Sequence, residues 1–194
     1  MEDEIEACRT PSETHEVNLD INKLCSQPLL QSIYAETLRV RVALFVTRTP
    51  EDEDFCLGEW KFPPKIDIAL SSRTAAMNPN IWNSGTEQDP HPLDTFWADR
   101  FLIYPNDPTS GPLRKVGTQE PYLEPSLKDR DVEKSREGPP TFSMSGVAGG
   151  WIPYGGGQRM CPGRHFAKQE IIGTYGLSYI YVDNGATYEN SVEY

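Results

Sequence analysis

Ten of the seventeen prolines in this 194-residue chain fall between residues 90 and 153, at Pro90, Pro92, Pro105, Pro108, Pro112, Pro121, Pro125, Pro139, Pro140 and Pro153. Each proline fixes φ and removes a backbone donor, so neither a long helix nor a central strand can run through this stretch. It also lacks hydrophobic periodicity. A structureless connection of that length is uncommon in a compact domain unless it is functional, wrapped on a scaffold or disordered. With only 37% hydrophobic residues, the chain is expected to carry much irregular backbone around a modest core. Within the stretch, "DTFWADRFL" at residues 94–102 is the aromatic cluster expected to be anchored, and Thr118 to Pro140 reads as a mobile insertion.

Regular elements must then come from the flanks. The clearest helix signal is "PLLQSIYAETLR", with Ser26 as a cap, Pro28 in the first turn, and Leu30, Ile33, Tyr34, Thr37 and Leu38 at helical spacing. It predicts a helix from about Pro28 to Arg39. Val40 to Thr47 reads as a buried strand, and "FCLGEWKFPPKIDIALSS" as a second strand pair turning at Gly58, with Ile66, Ile68 and Leu70 alternating on one face. A short helix is expected up to Met77, and a further one from Cys161 to about Tyr175. Tyr179 to Val182 is strand-like, followed by a turn signal at Asn184-Gly185.

A net charge of -11, from 18 Lys and Arg against 29 Asp and Glu, supplies no basic footprint for nucleic acid and disfavours an anionic membrane surface. Residues 1–19 are especially acidic: Glu2, Asp3, Glu4, Glu6, Glu13 and Glu16 face a single Arg9. They read as a solvated, disordered arm. The longest apolar run is Val42 to Val46, so neither a secretory signal nor a membrane anchor is expected in these residues, which read as soluble or peripheral. Cys8, Cys25, Cys56 and Cys161 are scattered without a C-x-x-C pair or a nearby His doublet, which disfavours a zinc site or a disulfide framework.

One of those cysteines has unusual surroundings. "WIPYGGGQRMCPGRHFAKQE", residues 151–170, sets three glycines and an arginine ahead of Cys161 and a helix-like run after it. One reading is a glycine-rich surface turn before a helix. The other is a thiolate held against a large planar cofactor. Thiolate is a soft ligand suited to iron, glycines permit close backbone approach, and a helix N-terminus stabilises negative charge on sulfur. Arg159 supplies a cation that could neutralise a propionate.

The spacing of Tyr154, Gly155, Gly157, Arg159, Cys161 and Gly163 resembles the cysteine-ligand loop of the cytochromes P450, Phe-Gly-x-Gly-x-Arg-x-Cys-x-Gly, with Tyr154 in place of phenylalanine. "ETLR" at 36–39 is similar to that family's Glu-x-x-Arg helix. "FWADRFL" resembles its Phe-x-Pro-Glu-Arg-Phe segment, with Asp99 in place of glutamate and Arg100 as third member of a Glu36-Arg39-Arg100 network. The stretch around "LCSQPLLQSIYAETLR" looks like fungal members associated with secondary metabolism.

The resemblance implies an α+β fold: the C-terminal part of the P450 fold, with helices, a small β-sheet and a long irregular meander. It covers residues 20–175, after the 1–19 arm and before a divergent tail at 176–194. It implies haem b (iron-protoporphyrin IX) with Cys161 as axial thiolate ligand to the iron. Tyr154, Gly155, Gly157 and Gly163 would shape the loop, Arg159 would meet a propionate, and Glu36, Arg39 and Arg100 would be its structural support. Arg73 is either a second propionate partner or a solvated arginine. The implied activity is monooxygenation of a hydrophobic small molecule with O2 and electrons from an NADPH-cytochrome P450 reductase, in a family usually found at the endoplasmic reticulum.

No Ala/Gly-Gly-x-x-Thr oxygen-activation string precedes Glu36. The chain is therefore expected to be a truncated member, with no catalytic side chain assigned within it. The alternative reading is a non-catalytic remnant or interaction module with weak or no haem binding.

Overall fold

The structure, a computed structural model, describes residues 1–10, 18–115 and 138–183. Its organising element is helix α3, Pro28–Arg41, preceded by two short helices, α1 (Glu2–Glu6) and α2 (Ile21–Leu24). Pro28 at the first position has no amide to satisfy. The next two amides, of Leu29 and Leu30, donate to the Glu4 carboxylate at 2.9 and 3.0 Å. Ser26, the expected cap, instead donates to the Lys23 carbonyl at 2.6 Å.

That contact changes the reading of the N-terminus. The solvated arm expected over residues 1–19 is, over its described residues, a packed piece of structure. Ile5 and Cys8 are fully buried in one core cluster with Leu24, Leu30, Tyr34, Ile172 and Ile180. The acidic composition misled because Glu4 is used as a helix cap rather than left in solvent, and Ile5 and Cys8 form the apolar side of the segment.

The strand expected over Val40 to Thr47 starts later and is not buried. Val40 and Arg41 continue α3, with Val40 buried. Strand β1, Phe45–Arg48, then pairs antiparallel with β4, Ile68–Ser71, setting Val46 opposite Leu70. Phe45 is 71% exposed and Leu70 51%. Between them β2 (Phe55–Leu57) and β3 (Trp60–Phe62) form a hairpin, whose turn uses Gly58 at φ +60°. Helix α4, Ser72–Ala76, follows β4 directly, and the Ser71 hydroxyl accepts from the Thr74 amide.

Between α4 and residue 150 the strands of the described chain are the two-residue β5 (Leu102–Ile103) and β6 (Thr141–Phe142), paired antiparallel. The single small sheet expected is thus three separate two-stranded pairings. "DTFWADRFL" is anchored by Arg100, Phe101 and Leu102, all at or near zero exposure. Trp82 meets Phe101 edge-on at 5.7 Å, and these two rings with Ala35 and Val147 form a second core cluster. Most of the insertion expected from Thr118 to Pro140 lies outside the described residues.

Helix α5, Arg164–Asp183, closes the structure. It does not stop near Tyr175, and Tyr179 to Val182 are helical, not a strand. Ile172, Gly176 and Ile180, four apart, share one buried face. The strand preference of Tyr-Ile-Tyr-Val yields to this packing. The described part of the tail expected at 176–194 is therefore a continuation of α5, and Asn184-Gly185 lies outside the described residues. Among the described residues no helix is long and apolar enough to cross a membrane.

Candidate functional site

The cysteine loop hangs between two anchored points. At its start the Trp151 indole donates to the Ala35 carbonyl on α3 at 2.9 Å. The phenols of Tyr154 and Tyr34 share a hydrogen bond of 2.8 Å. Burial and this partner push the Tyr34 phenol well above its ordinary range, so it stays neutral. At the far end the Cys161 amide donates back to the Tyr154 carbonyl at 3.0 Å, and the Ala167 amide to the Gly163 carbonyl at 2.9 Å as α5 begins.

Between these points Gly155 and Gly157 sit at φ +81° and +69°, conformations that side chains with a Cβ rarely adopt. A Cβ added at Gly156 or Gly157 would meet nothing within 4 Å, so the loop borders open space. Residues 157–159 make a single 3₁₀ turn. Cys161 is exposed, as are Met160 and Gly163. Its carbonyl accepts from the Arg164 guanidinium at 3.1 Å, so a cation lies beside the backbone that presents the thiol.

The space beside the loop is a groove of about 510 Å³. One wall is the exposed face of the β1–β4 pair, with Val46 and Leu70 directly opposite each other. Ile152, Gly156 and Gly157 form the other, and Arg48 and Arg159 are the cations. Arg48 donates to the Gly156 carbonyl at 3.0 Å, and neither arginine makes an ion pair among the described residues. A flat apolar body with carboxylate substituents fits such walls, and haem has that chemistry. No three His, Cys, Asp or Glu side chains are grouped to hold a metal ion among the described residues. Iron bound by Cys161 would therefore have to bring its remaining ligands with it. A second groove, of about 570 Å³ between α3 and α5, mixes aliphatic and tyrosine side chains with Thr37, Thr174, Ser178 and the carboxylate of Glu170, and has no arginine in its lining.

Behind the loop, Glu36, Arg39 and Arg100 meet at 0–1% exposure. The Glu36 carboxylate accepts from Arg39 Nε at 2.7 Å and Nη2 at 2.8 Å, from Arg100 Nε at 3.0 Å, and from the Trp97 amide at 3.1 Å. Two guanidinium groups on one carboxylate leave excess positive charge, which backbone carbonyls absorb. Arg39 donates to Ala76 and Leu93, and Arg100 to Asn83, Pro92 and Thr95. Burial pulls the Arg100 guanidinium below its ordinary value, and Glu36 opposes that pull. Arg39 also lies over the Trp82 ring at 5.4 Å. A Cβ at Gly150 would meet the Trp82 indole at 3.2 Å, so the cluster reaches the loop's approach through Trp82.

Arg73, read as either a propionate partner or a solvated arginine, is half-buried and does not line the groove. Its guanidinium donates to the Val40 carbonyl at the end of α3. Arg48 lines the groove instead. The sequence did not single it out, since it lies just past the strand expected over Val40 to Thr47, and its place at the groove follows from the β1–β4 pairing and its contact with Gly156. Tyr34 was likewise read as an ordinary apolar helix position.

No family model matches the chain. It is 47% identical over 176 residues to the cytochrome P450 monooxygenase fsoE of Humicola fuscoatra, covering 89% of this chain and 28% of that protein. Against the cytochrome P450 monooxygenase efuG of Hormonema carpetanum it is 46% identical over 159 residues, covering 81% and 26%. Against the cytochrome P450 monooxygenase calL of Penicillium decumbens it is 34% identical over 161 residues, covering 83% and 23%. The chain spans about a quarter of the length of these curated relatives.

Proposed function

The chain belongs to the cytochrome P450 family, and from that premise we propose that Cys161 is the axial thiolate ligand of a haem b seated in the groove beside β1 and β4. The observation that carries the reading is one open groove lined by the glycine-rich turn that leads to the exposed Cys161, by an apolar sheet face, and by Arg48 and Arg159, which make no ion pair among the described residues. When bound, such a haem supplies the splitting of O2 and insertion of one oxygen atom into a C–H bond.

This chain's residues would prepare that chemistry rather than perform it. The start of α5 and the Arg164 guanidinium, which donates to the Cys161 carbonyl, would hold the backbone that presents the Cys161 sulfur. Arg159 and Arg48 would pair with the two propionates. Val46, Leu70 and Ile152 would cover part of the macrocycle edge and keep water from it. Glu36, Arg39 and Arg100 hold the segments from which the loop departs, and their value is in fixing geometry, since a buried ion cluster is weak support for net stability.

The substrate class is a hydrophobic small molecule, with electrons from an NADPH-cytochrome P450 reductase, in fungal secondary metabolism. The names of the fungal relatives support the monooxygenase part of this reading. Titrating haem into the reduced chain tests the site. One equivalent should bind with the absorbance of thiolate-ligated ferric iron, and Arg48→Ala and Arg159→Ala should each weaken uptake. The same spectrum in Cys161→Ser, or undiminished affinity in the double arginine variant, would overturn the assignment.

A further inference from the structure

Tyr154 stands where the resembled motif has phenylalanine, and so brings a hydroxyl to the start of the loop. Its hydroxyl is not idle. It meets the hydroxyl of Tyr34, 120 residues earlier, at 2.8 Å. Tyr34 is 7% exposed and is built into the cluster that contains Ile5, Leu24 and Ile172. Tyr154 packs against the same cluster, edge-on to Trp151 at 6.4 Å.

The carbonyl of Tyr154 is also the acceptor for the Cys161 amide. Gly155 and Gly156 separate that carbonyl from the 3₁₀ turn, which itself opens on Gly157, and Gly155 and Gly157 have positive φ, so the loop has little stiffness of its own. Whatever fixes residue 154 therefore fixes the acceptor on which the cysteine backbone closes. We propose that Tyr34 is a positioning residue for Cys161, acting from the core through the Tyr154 phenol on the carbonyl that receives the Cys161 amide. Its consequence at iron rests on the haem-thiolate reading; its effect on the loop does not.

A buried hydroxyl left without its partner costs more than the bond contributes, whereas removing both hydroxyls costs less than two separate losses. Tyr34→Phe and Tyr154→Phe should thus act alike and not add. Amide hydrogen exchange, followed by NMR in the haem-free full chain, reads this directly. In each single variant the Cys161 amide should exchange roughly fivefold faster, while the Ala167 amide in α5 keeps its rate. The double variant should be no faster than either single one. An unchanged Cys161 rate, equal acceleration at Ala167, or additive acceleration in the double variant would each overturn the proposal.

In the haem-loaded chain, Tyr34→Phe should lower the ratio of thiolate-ligated to unligated ferrous–CO form by a similar factor, read from the Soret band. If the parent itself shows no thiolate-type band, the haem reading fails, and the exchange rates still decide the role of Tyr34.

Discussion

Glu36 balances two buried guanidinium groups with one carboxylate, so it is the most exacting single position behind the loop. Glu36→Gln keeps the shape and removes the charge, leaving Arg39 and Arg100 buried without a counterion. The expected loss is about 3 kcal/mol or more in denaturant unfolding, and a loss below about 1 kcal/mol would show the cluster to be dispensable. Cys8 offers a test of the packed N-terminus. Burial pushes its thiol up from the ordinary value of 9.0, against the Gln27 hydrogen bond. The folded chain then keeps a proton that the unfolded chain releases, and this contribution to stability falls as pH rises above 9.0. The stability gap between the parent and Cys8→Ala should accordingly narrow above that pH. Cys25 and Lys168 are common to both proteins and cancel in the difference. At this scale the sequence shows what is local. Glu36 and Arg39, three apart on a helix, can be paired by inspection, and Arg100 follows from its segment. Tyr34 with Tyr154, and Glu4 with Leu29, are pairs made by folding and leave no mark at either position.

Helix α5 shows what an element needs that its residue types do not announce. Its buried face includes Gly173 and Gly176, and the two differ in what a methyl group would meet. At Gly173 a Cβ would come within 3.4 Å of Ile21 Cδ1, an ordinary contact; at Gly176 it would lie 2.8 Å from Leu24 Cδ2 and 3.4 Å from Leu19 Cδ1. Alanine is favoured over glycine in a helix by about 1 kcal/mol, so Gly173→Ala should raise the melting temperature. Gly176→Ala should lower it, because overpacking a filled interface costs about 1–3 kcal/mol. The reverse order would mean that α2 and α5 do not pack as described. The continuation of α5 past Tyr175 was readable from Ile172, Gly176 and Ile180 at steps of four, but the β-branched and aromatic run at 179–182 outweighed it in the reading from sequence. The end of α3 is the same error on a smaller scale: Val40 favours a strand by type and is helical by burial.

Across the whole molecule, the proline-rich stretch does what its composition dictates, carrying little regular structure over its described residues while Arg100 and Phe101 pin it to the core. The acidic total of -11 was a poor guide to the groove, whose charged side chains are Arg48 and Arg159. Net charge averages over the surface, and the cations at the groove are set by where β1 and the loop meet. The family was legible because its motif is contiguous. The walls of the groove were not, because they come from residues more than eighty positions apart. The central claim, that Cys161 binds haem iron as thiolate, has one direct measurement: the absorption spectrum of the haem-loaded, reduced chain under carbon monoxide. Thiolate ligation predicts the red-shifted Soret band of a ferrous carbonyl, absent in Cys161→Ala; an unshifted band in folded parent protein, or a red-shifted one that survives the substitution, would contradict it.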